Sequence, residues 1–474
     1  MKILYASSEA YPFAMSGGLA DVAGALPKAL RRRLIGCRVV MPLYSSVPEE
    51  LKAEMKFITS ITVPVSWRRQ YCGIFEARYN GVVYYLLDNQ YYFKREGLYG
   101  HYDDGERFAF FSRAVLEIIP YIDYTPDIIH CNDWQTAMVP VYHDRFYKSN
   151  PKYANIKTIF TIHNIQYQGR FGYELIGDVL GLNDEDKGLV EYDGCVNLMK
   201  AAIQCANKVT TVSPTYSKEI LTPQYAHGLD GILKDYTYKL CGIINGIDTA
   251  VYDPETDKNL KANYSSADFS NKKINKTSLQ KEMGLPEKED TALIGIVSRL
   301  VQHKGLDLVK TAFEEMLERD VQFVILGSGD WEFETFFYEI VQKHPDKVAY
   351  KTGFIPSLAR KIYAGADIFL MPSQSEPCGL AQMIALRYGT IPIVRSTGGL
   401  NDTITDSGDG VGNGFVFSDY TPCAMSNAVY RALEGYKNRE GWNILVKRAL
   451  ECDNSWNISA GEYIKLYKDT VSTN

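Results

Sequence analysis

The chain has 474 residues, and its 51 Lys and Arg residues against 57 Asp and Glu residues give a formal net charge of −6. Hydrophobic residues make up 46% and charged residues 23%, an ordinary globular composition that excludes disordered and fibrous classes. The acidic balance argues against nucleic acid or a membrane surface as the main partner, and no apolar run approaches the roughly 20 residues that span a bilayer.

The predicted elements, taken in chain order, indicate an α/β fold. The first residues, KILYA (2–6), predict a β-strand rather than a signal peptide, so we expect a cytoplasmic protein. Further strands are predicted at 38–44, 82–89, 127–133, 157–164 and 208–213, and then at 292–299, 322–329, 367–373 and 391–397. These runs are rich in Val, Ile and Leu, as in parallel strands covered on both faces. Helical patterns at 17–33, 306–320 and 334–344 lie between them, which predicts doubly wound sheets.

A polar segment at 253–280 marks the predicted domain boundary. It has no apolar period and follows a turn-like ING sequence around Asn245. We therefore place a first Rossmann-like domain at 1–249 and a second at 250–455. The pattern of 458–471 predicts a C-terminal helix, about 456–474, that could dock on either domain, including back on the first.

Two glycine-rich turns resemble each other, one in each predicted domain. SGGLADV (16–22) and TGGLNDT (397–403) each follow a predicted strand and open a helix. Such turns expose backbone N–H groups at the positive end of the helix dipole, where phosphate or sugar can bind. A pair of glycines can also do no more than permit a tight turn. The matched pair favours binding, with the two helix starts facing each other across a cleft at the carboxyl ends of the strands.

Several common chemistries lack their sequence signatures. G-x-G-x-x-G, the Walker motif and the G-x-S-x-G nucleophile elbow are all absent. Nine cysteines without a C-x-x-C pair predict neither a disulfide framework nor a zinc site. Asp184 and Asp186 form a D-x-D that fits a solvated acidic loop better than a divalent metal site.

Two cations follow the predicted strand at 292–299. Arg299 lies at the strand end and Lys304 precedes a helix, so the pair could clamp a diphosphate. A surface salt-bridge pair is the alternative interpretation of this segment alone.

Polar residues also follow three other predicted strands. Glu376, before an apolar helix, could accept hydrogen bonds from sugar hydroxyls or could only cap that helix. Asp133 ends one strand, and His163 with Asn164 ends another; each of these could be structural when taken alone. Polar residues at four strand ends together predict a site for an anionic ligand and a polyol.

Long ordered motifs then identify a family. SSEAYPFAMSGGLADVAGALPKAL, HCNDWQTAMVP, FTIHNIQYQG, TTVSPTYSKEI, GIINGID, SRLVQHKGLDL and SEPCGLAQMIALRYGTIPIVRSTGGLNDT span essentially the whole chain. With these motifs the sequence resembles the bacterial glycogen (starch) synthases, which are glycosyltransferases. The resemblance implies the GT-B architecture, two Rossmann-like domains with a deep interdomain cleft, an N-terminal acceptor-binding domain and a C-terminal nucleotide-sugar-binding domain. It implies transfer of glucose from ADP-glucose to the non-reducing end of an α-1,4-glucan with retention.

The resemblance also implies roles for individual residues. The implied catalytic residues are Arg299 and Lys304, which hold the diphosphate, Glu376, which contacts the donor glucose, and Asp133 and His163, which line the glucosyl pocket. The implied substrate-binding residues are Gly17, Gly18, Asp21, Asn164, Asn245, Phe354, Cys378, Gly379, Leu380, Thr397, Gly398 and Gly399. Among them, Gly18 and the 397–399 turn offer backbone donors to phosphate, Asp21 lies near the acceptor and Phe354 stacks on the base. No metal or other cofactor is expected, because the side-chain cations carry the charge.

Two positions depart from the family pattern. Met15 stands where the family has a Lys that helps to bind the donor, and Phe354 stands where Tyr is usual. Loss of one charge-assisted contact costs about 1.5–3 kcal/mol. Two alternatives therefore accompany the active synthase: a catalytically weakened glucan-binding or regulatory relative, and a synthase that uses UDP-glucose.

Overall fold

The computed structural model describes residues 1–472, which divide into two α/β units. The first unit is Met1–Asn245 together with the segment that begins at Trp456, and the second unit is Gly246–Ser455. The chain thus divides at 245/246, against the expected 249/250. Within residues 1–472, no helix combines the length and the apolar character that crossing a membrane would require.

The first unit contains a nine-stranded sheet and a small three-stranded sheet. The strands are β1 (Lys2–Ala6), β2 (Gly36–Pro42), β3 (Lys56–Val65), β4 (Arg68–Tyr79), β5 (Val82–Asp88), β6 (Ile128–Asn132), β7 (Lys157–Ile162), β8 (Arg170–Phe171), β9 (Glu191–Tyr192), β10 (Cys195–Asn197), β11 (Lys208–Thr211) and β12 (Leu240–Gly242). The large sheet has the order β12-β11-β7-β6-β1-β2-β5-β4-β3, and the small one β8-β10-β9. Parallel pairing of β1 with β2 and β6 places Tyr5 beside Val39 and His130. The strand order changes direction at β1, so the carboxyl ends of β1 and β6 form a switch point of the kind that binds ligands.

The longer helices of this unit bury an apolar stripe, whereas the short ones bury few residues or none. The helices are α1 (Gly18–Arg32), α2 (Glu49–Ala53), α3 (Gln90–Phe93), α4 (Asp104–Glu117), α5 (Met138–Tyr142), α6 (Lys187–Val190), α7 (Leu198–Cys205), α8 (Pro214–Glu219) and α9 (Asp230–Asp235). In α1, for example, Leu19, Val22, Leu26 and Leu30 are buried, and their spacing of three or four residues keeps them on one helix face.

The hairpin of β3 and β4 was not predicted from the sequence. It extends the parallel sheet with two antiparallel strands, and β3 forms the edge. Most β3 residues are at least partly exposed, and Pro64 is tolerated because an edge strand does not need every N–H in the ladder. Continuous apolar runs identify strands that are covered on both faces, so this half-exposed pair escapes that criterion.

The second unit is a six-stranded, fully parallel sheet. Its strands are β13 (Ala292–Val297), β14 (Val321–Leu326), β15 (Val348–Lys351), β16 (Ile368–Met371), β17 (Ile391–Arg395) and β18 (Phe415–Phe417). Its helices are α10 (Lys272–Glu282), α11 (Leu306–Leu317), α12 (Trp331–Lys343), α13 (Pro356–Gly365), α14 (Ala381–Arg387), α15 (Gly398–Thr403), α16 (Pro422–Lys437) and α17 (Arg439–Glu451). The order β15-β14-β13-β16-β17-β18 is the Rossmann order, with its switch point at the carboxyl ends of β13 and β16. The sequence did not predict the short β15 and β18.

Helix α10 begins within the polar segment 253–280, in which the sequence showed no apolar period. Its buried face carries one leucine, Leu279, and is otherwise polar, with Lys272, Asn275, Lys276 and Gln280. Lys272 donates to Ala364 O and Thr390 Oγ1, both at 2.8 Å. Lys276 forms an ion pair with Asp367 at 2.7 Å. The helix therefore has no apolar period in its sequence because buried polar contacts hold part of its inner face.

The C-terminal helix α18 (Trp456–Ser472) belongs to the first unit. The Tyr467 hydroxyl lies 2.7 Å from His130 Nδ1, and the Tyr463 ring packs 5.6 Å from the same imidazole. Both tyrosines are buried, so the helix docks by aromatic packing as well as by one hydrogen bond. Residues 473 and 474 of the expected helix lie outside the described residues.

Candidate active site

In the first unit, a buried carboxylate organises the loop that precedes α1. Glu9 is 3% exposed and accepts a hydrogen bond from the Ser16 N–H at 2.5 Å and another from the Gly17 N–H. Burial raises the pKa of Glu9, and these two donors oppose that rise. The Gly17 N–H is therefore engaged within the chain, and the part of Gly17 in substrate binding stays a prediction.

Gly18 remains suited to the role predicted for it. It is the first residue of α1, and the first N–H groups of a helix have no acceptor within the helix. A Cβ at Gly18 would meet no atom within 4 Å, so the approach to this N–H is open. Met15 is half exposed just before it, and Asp21 is exposed in the first turn of α1.

Asp133 follows β6 in a strained backbone conformation. Its φ of 55° and ψ of 178° are costly for a residue with a side chain, by about 1–3 kcal/mol. Its carboxylate accepts the backbone N–H of His163 at 2.7 Å and that of Asn164. Burial raises the pKa of Asp133 to about 7 despite these donors. Asp133 thus ties the end of β6 to the end of β7.

His163 and its neighbours complete the polar edge of the first unit. His163 Nε2 lies 2.9 Å from Asn132 Oδ1, and burial lowers the pKa of His163 to about 3, so the ring is neutral at pH 7. Asn164 Oδ1 accepts the Gln166 N–H and closes a local turn. Asn245 is 5% exposed, and its Oδ1 has no hydrogen-bond partner within residues 1–472. This oxygen can therefore accept a hydrogen bond from a ligand.

In the second unit, Arg299, Lys304 and Glu376 gather at the switch point of the sheet. Lys304 Nζ lies 2.7 Å from Glu376 Oε2, which also accepts the Ser373 hydroxyl at 3.0 Å. Arg299 is exposed, and within the described residues its guanidinium has no hydrogen-bond or ion-pair partner. The structure therefore brings together the predicted cations and the predicted carboxylate, and it leaves one cation uncompensated.

His303 reports the positive potential at this strand end. Burial lowers its pKa, the nearby charges of Lys304 and Arg299 lower it further, and the carboxylates of Glu376 and Asp330 oppose them more weakly. A field that disfavours imidazolium favours an anion such as a diphosphate.

Close backbone contacts hold the three turns of the second unit together. A Cβ at Gly305 would lie 2.1 Å from Pro372 O, one at Gly398 would lie 1.9 Å from Glu376 O, and one at Gly399 would lie 2.0 Å from Cys378 O. Gly305, Gly379 and Gly398 also have positive φ, which side chains disfavour. Only glycine lets these turns approach so closely, and their packing fixes the position of Glu376.

The TGG turn makes hydrogen bonds within the chain. The Gly399 N–H donates to Glu376 O at 3.1 Å and Pro377 O at 3.2 Å, so it is engaged within the chain and packs the turn. As a phosphate donor it would have to give up these two acceptors, and that role stays a prediction. Thr397 is buried as the residue that precedes α15, and Gly398 stays a predicted contact.

The other predicted contacts of the second unit lie close to these turns or on a loop. Cys378 is buried, and Leu380 immediately precedes α14. Phe354 lies in the loop after β15 and is 82% exposed, so its ring is available for stacking. The D-x-D of the first unit is a short 3₁₀ turn in which Asp186 pairs with Arg145 at 3.3 Å. No group of three or more metal-ligating side chains occurs within residues 1–472.

Sequence reasoning missed three residues that shape these sites. Glu9 and Asn132 lie within quoted motifs but were given no role, and Ser373 lies just before one; their hydrogen-bond partners are Ser16, His163 and Glu376. A charged or amide residue at or just after the end of an apolar strand is the signal that could have identified Glu9 and Asn132. Ser373 carries no comparable signal.

Two family models match the chain, one in each unit. The model described as starch synthase catalytic domain matches residues 2–235. The model described as glycosyl transferases group 1 matches residues 279–445.

Full-length relatives are named glycogen synthase. The relative from Bacillus cereus (strain ATCC 14579) is 52% identical over 475 residues, which cover 99% of this chain and 100% of the relative. The relative from Geobacillus stearothermophilus is 50% identical over 475 residues, which cover 99% of this chain and 98% of the relative.

Solved structures agree with this similarity. The catalytic domain of starch synthase IV from Arabidopsis thaliana, bound to ADP and acarbose, superimposes with a TM-score of 0.92 at 35% identity and 99% coverage of both chains. A sucrose-phosphate synthase from Thermosynechococcus elongatus has a TM-score of 0.62 at 16% identity and complete coverage of both chains, which shows the shared fold alone.

Proposed function

This chain belongs to the glycogen (starch) synthase family of glycosyltransferases, with the two-domain GT-B fold, and on that premise we propose its donor, stereochemistry and catalytic residues. It transfers glucose from ADP-glucose to the 4-OH at the non-reducing end of an α-1,4-glucan, with retention of the anomeric configuration. The Arabidopsis relative, which was solved with ADP bound, supports ADP as the leaving group, and the exposed Phe354 ring offers stacking to either base.

The observation that carries the proposal is the charge arrangement in the second unit. Arg299 has no partner within the described residues, while Lys304 is neutralised by Glu376 at 2.7 Å. A diphosphate can bind the Arg299 fork directly and draw Lys304 away from Glu376. The released carboxylate then accepts hydrogen bonds from hydroxyls of the donor glucose. One ion pair thus serves both halves of the donor.

The reaction exchanges one bond to the anomeric carbon for another. The bond between C1 and the β-phosphate oxygen breaks, and the electron pair leaves with ADP. A new bond forms between C1 and the acceptor 4-oxygen on the same face, and the hydroxyl proton passes to the departing phosphate. Negative charge grows on the phosphate as that bond breaks, where fixed cations act most strongly. Arg299 and Lys304 supply those cations.

We assign the glucosyl group to the polar strand ends of the first unit. Asn245 Oδ1 has no partner within residues 1–472, and the His163 ring is neutral and partly exposed, so both can bond sugar hydroxyls. Asp133 holds the backbone of His163 and Asn164 in place. Gly18 offers an N–H to the donor phosphate, and Asp21 lies on the acceptor side.

We also place the protein in the cytoplasm. None of its nine cysteines forms a disulfide, as expected in a reducing compartment. Cell fractionation with an antibody to the chain would test this location.

Met15 supports a second candidate function, a glucan-binding relative with weak catalysis. A half-exposed thioether at this position contributes no charge to the donor. Because the residue is exposed, a Lys there could extend into solvent without disturbing the core, so Met15→Lys is a clean test.

Nucleotide release separates these functions. ADP-glucose and UDP-glucose are each supplied with glycogen to wild type and to Met15→Lys, and free ADP or UDP is measured. We expect ADP release by wild type. Release by Met15→Lys alone would support the weakened relative, and release of UDP alone would overturn the donor assignment. No release of either nucleotide by either protein would refute the proposed reaction.

A further inference from the structure

A buried amide at the end of β6 contacts the ring of His163. Asn132 is fully buried, and its Nδ2 donates to Ala6 O at 2.9 Å and reaches His130 O at 3.4 Å. Its Oδ1 accepts the Tyr5 hydroxyl at 2.9 Å and lies 2.9 Å from His163 Nε2.

The orientation of this amide is fixed by its neighbours. If the amide were turned over, its oxygen would face the backbone oxygens of Ala6 and His130, and these acceptors would repel one another. The oxygen therefore faces His163, and an acceptor can pair there only with an N–H. In a neutral imidazole a proton on Nε2 leaves Nδ1 with a lone pair. Within residues 1–472, no hydrogen bond reaches Nδ1 of the partly exposed ring.

The backbone of Asp133 allows two consecutive residues to act on His163. Successive side chains of a regular strand point to opposite faces of the sheet. The φ of 55° at Asp133 breaks that alternation directly after β6. Asn132 consequently reaches the ring of His163 while Asp133 Oδ1 accepts its backbone N–H at 2.7 Å. Ring and backbone of His163 are fixed by separate groups.

We propose that Asn132 is a positioning residue for the glucosyl pocket, which holds His163 as the Nε2–H tautomer so that Nδ1 accepts a hydrogen bond from a sugar hydroxyl. The inference rests on the proposed function, in which His163 faces the glucosyl group. Burial lowers the pKa of His163 to about 3, so Nδ1 stays an acceptor throughout the physiological pH range. The ring thus binds a hydroxyl and does not serve as an acid.

The tautomer can be measured without any catalysis. Long-range ¹H–¹⁵N spectra of ¹⁵N-histidine-labelled full-length protein distinguish a protonated ring nitrogen from a bare one, and His163→Gln identifies the signal. We expect wild type to show a proton on Nε2 and a bare Nδ1 between pH 6 and 8. A proton on Nδ1 would overturn the proposal, whether or not the protein releases nucleotide from ADP-glucose. Absence of nucleotide release with the Nε2–H tautomer intact would count against the proposed function alone.

Three variants then test the role of Asn132. Asn132→Leu removes the acceptor at similar volume, and we expect a loss of about 2–12-fold in kcat/KM, the equivalent of one hydrogen bond, with a changed tautomer signal. Asn132→Asp keeps an oxygen facing Nε2 but turns its other oxygen toward Ala6 O, so it should show the wild-type tautomer with only part of the activity and with lower stability. Thr210→Val is the matched control, because it removes the buried hydrogen bond to Thr161 in the same sheet without touching His163.

The outcomes separate positioning from simple stability. If Asn132→Leu keeps both the tautomer and kcat/KM, the proposal fails. It also fails if Thr210→Val lowers kcat/KM as much as Asn132→Leu does. If Asn132→Leu does not fold, Asn132→Asp and the wild-type spectrum still decide, because a proton on Nδ1 in both would refute the assignment.

Discussion

Lys304 and Glu376 are 72 residues apart in the chain, and their charged atoms are 2.7 Å apart in the structure. At the residue scale, each has an ordinary alternative role, as a surface cation or as a helix-capping acid. Their pairing at the switch point of β13 and β16, with Glu376 only 6% exposed, favours a functional role. If this ion pair were only structural, nothing would explain why Arg299, on the same strand end, has no partner of its own within the described residues.

Removing either cation should lower turnover without unfolding the protein. We expect Arg299→Ala and Lys304→Ala each to reduce kcat by about 10²–10³, the effect of losing one group that stabilises developing negative charge. Lys310→Ala is the control, because Lys310 pairs only with the exposed Glu332. Steady-state ADP release, with circular dichroism of each variant, checks the result. Wild-type turnover in either variant would remove that residue from the diphosphate site.

Stability should fall with acidification because of His130. Burial lowers the pKa of His130 to about 3, and in the unfolded chain it titrates near 6.5. As the pH falls, the unfolded chain therefore takes up a proton on His130 before the folded protein does. The free energy of unfolding is unaffected by the titration of His130 above pH 6.5 and decreases between pH 6.5 and 3. By pH 5.5 the decrease amounts to about 1.4 kcal/mol.

The comparison with His130→Gln isolates this residue. Asp133 acts in the opposite sense, because burial raises its pKa to about 7, so the wild-type profile alone mixes both effects. Urea unfolding of wild type and His130→Gln at pH 7.5 and pH 5.5 should show a smaller pH dependence in the variant. Equal pH dependence in both would contradict the assignment.

At the scale of elements, α10 shows how polar contacts can hold a helix. Its buried Lys272 and Lys276 replace apolar residues on the inner face, and Lys276 pairs with Asp367 at 2.7 Å. Patterns of apolar residues cannot identify such a helix, because the partners of its lysines come from other parts of the chain. The β3–β4 hairpin was missed for a related reason, since its pairing with β5 and not its own hydrophobicity places it in the sheet.

Breaking the buried pair of α10 should destabilise the second unit. Lys276→Met removes the lysine partner of the mostly buried Asp367 carboxylate, which keeps only neutral donors such as the Leu293 N–H at 2.9 Å, so we expect a loss of up to about 3–5 kcal/mol. Lys281→Met on the same helix is the matched control, because Lys281 is exposed and its loss should change stability by less than about 0.5 kcal/mol. Equilibrium unfolding in urea measures both variants. Similar stability of the two would mean that the ion pair does not hold α10.

At the scale of the whole molecule, each unit carries its own switch point with polar groups at the strand ends. Glu9 and Asp133 follow β1 and β6 in the first unit, and Lys304 and Glu376 follow β13 and β16 in the second. The two family models fall on the same two units. The cations that we assign to the donor diphosphate are side chains of the protein itself.

Turnover should therefore be independent of divalent metal. Because Arg299 and Lys304 supply the positive charge at the leaving group, we expect the protein to release ADP from ADP-glucose equally before and after treatment with excess EDTA. Initial rates with and without EDTA check this, and the relevant control is recovery of any lost activity by added Mg²⁺ or Mn²⁺. If EDTA lowers the rate of ADP release and added Mg²⁺ or Mn²⁺ restores it, a metal carries part of the positive charge at the leaving group.

Local composition and ordered motifs were enough to predict most of the parallel strands, the long helices α1, α11 and α12, and the family. They also identified the strand ends that bear Arg299, Lys304, Glu376, Asp133 and His163. Apolar runs are local properties, so they can be seen without knowing what packs against them.

The folded structure was needed to show which of these groups are already hydrogen-bonded or ion-paired within the chain. It assigned the Gly17 N–H to Glu9 and the Gly399 N–H to Glu376 O and Pro377 O, paired Lys304 with Glu376, and placed Asn132 against His163. Hydrogen bonds and charge pairs have short range, so they depend on separations of a few ångströms between residues far apart in the chain. No local pattern encodes those distances.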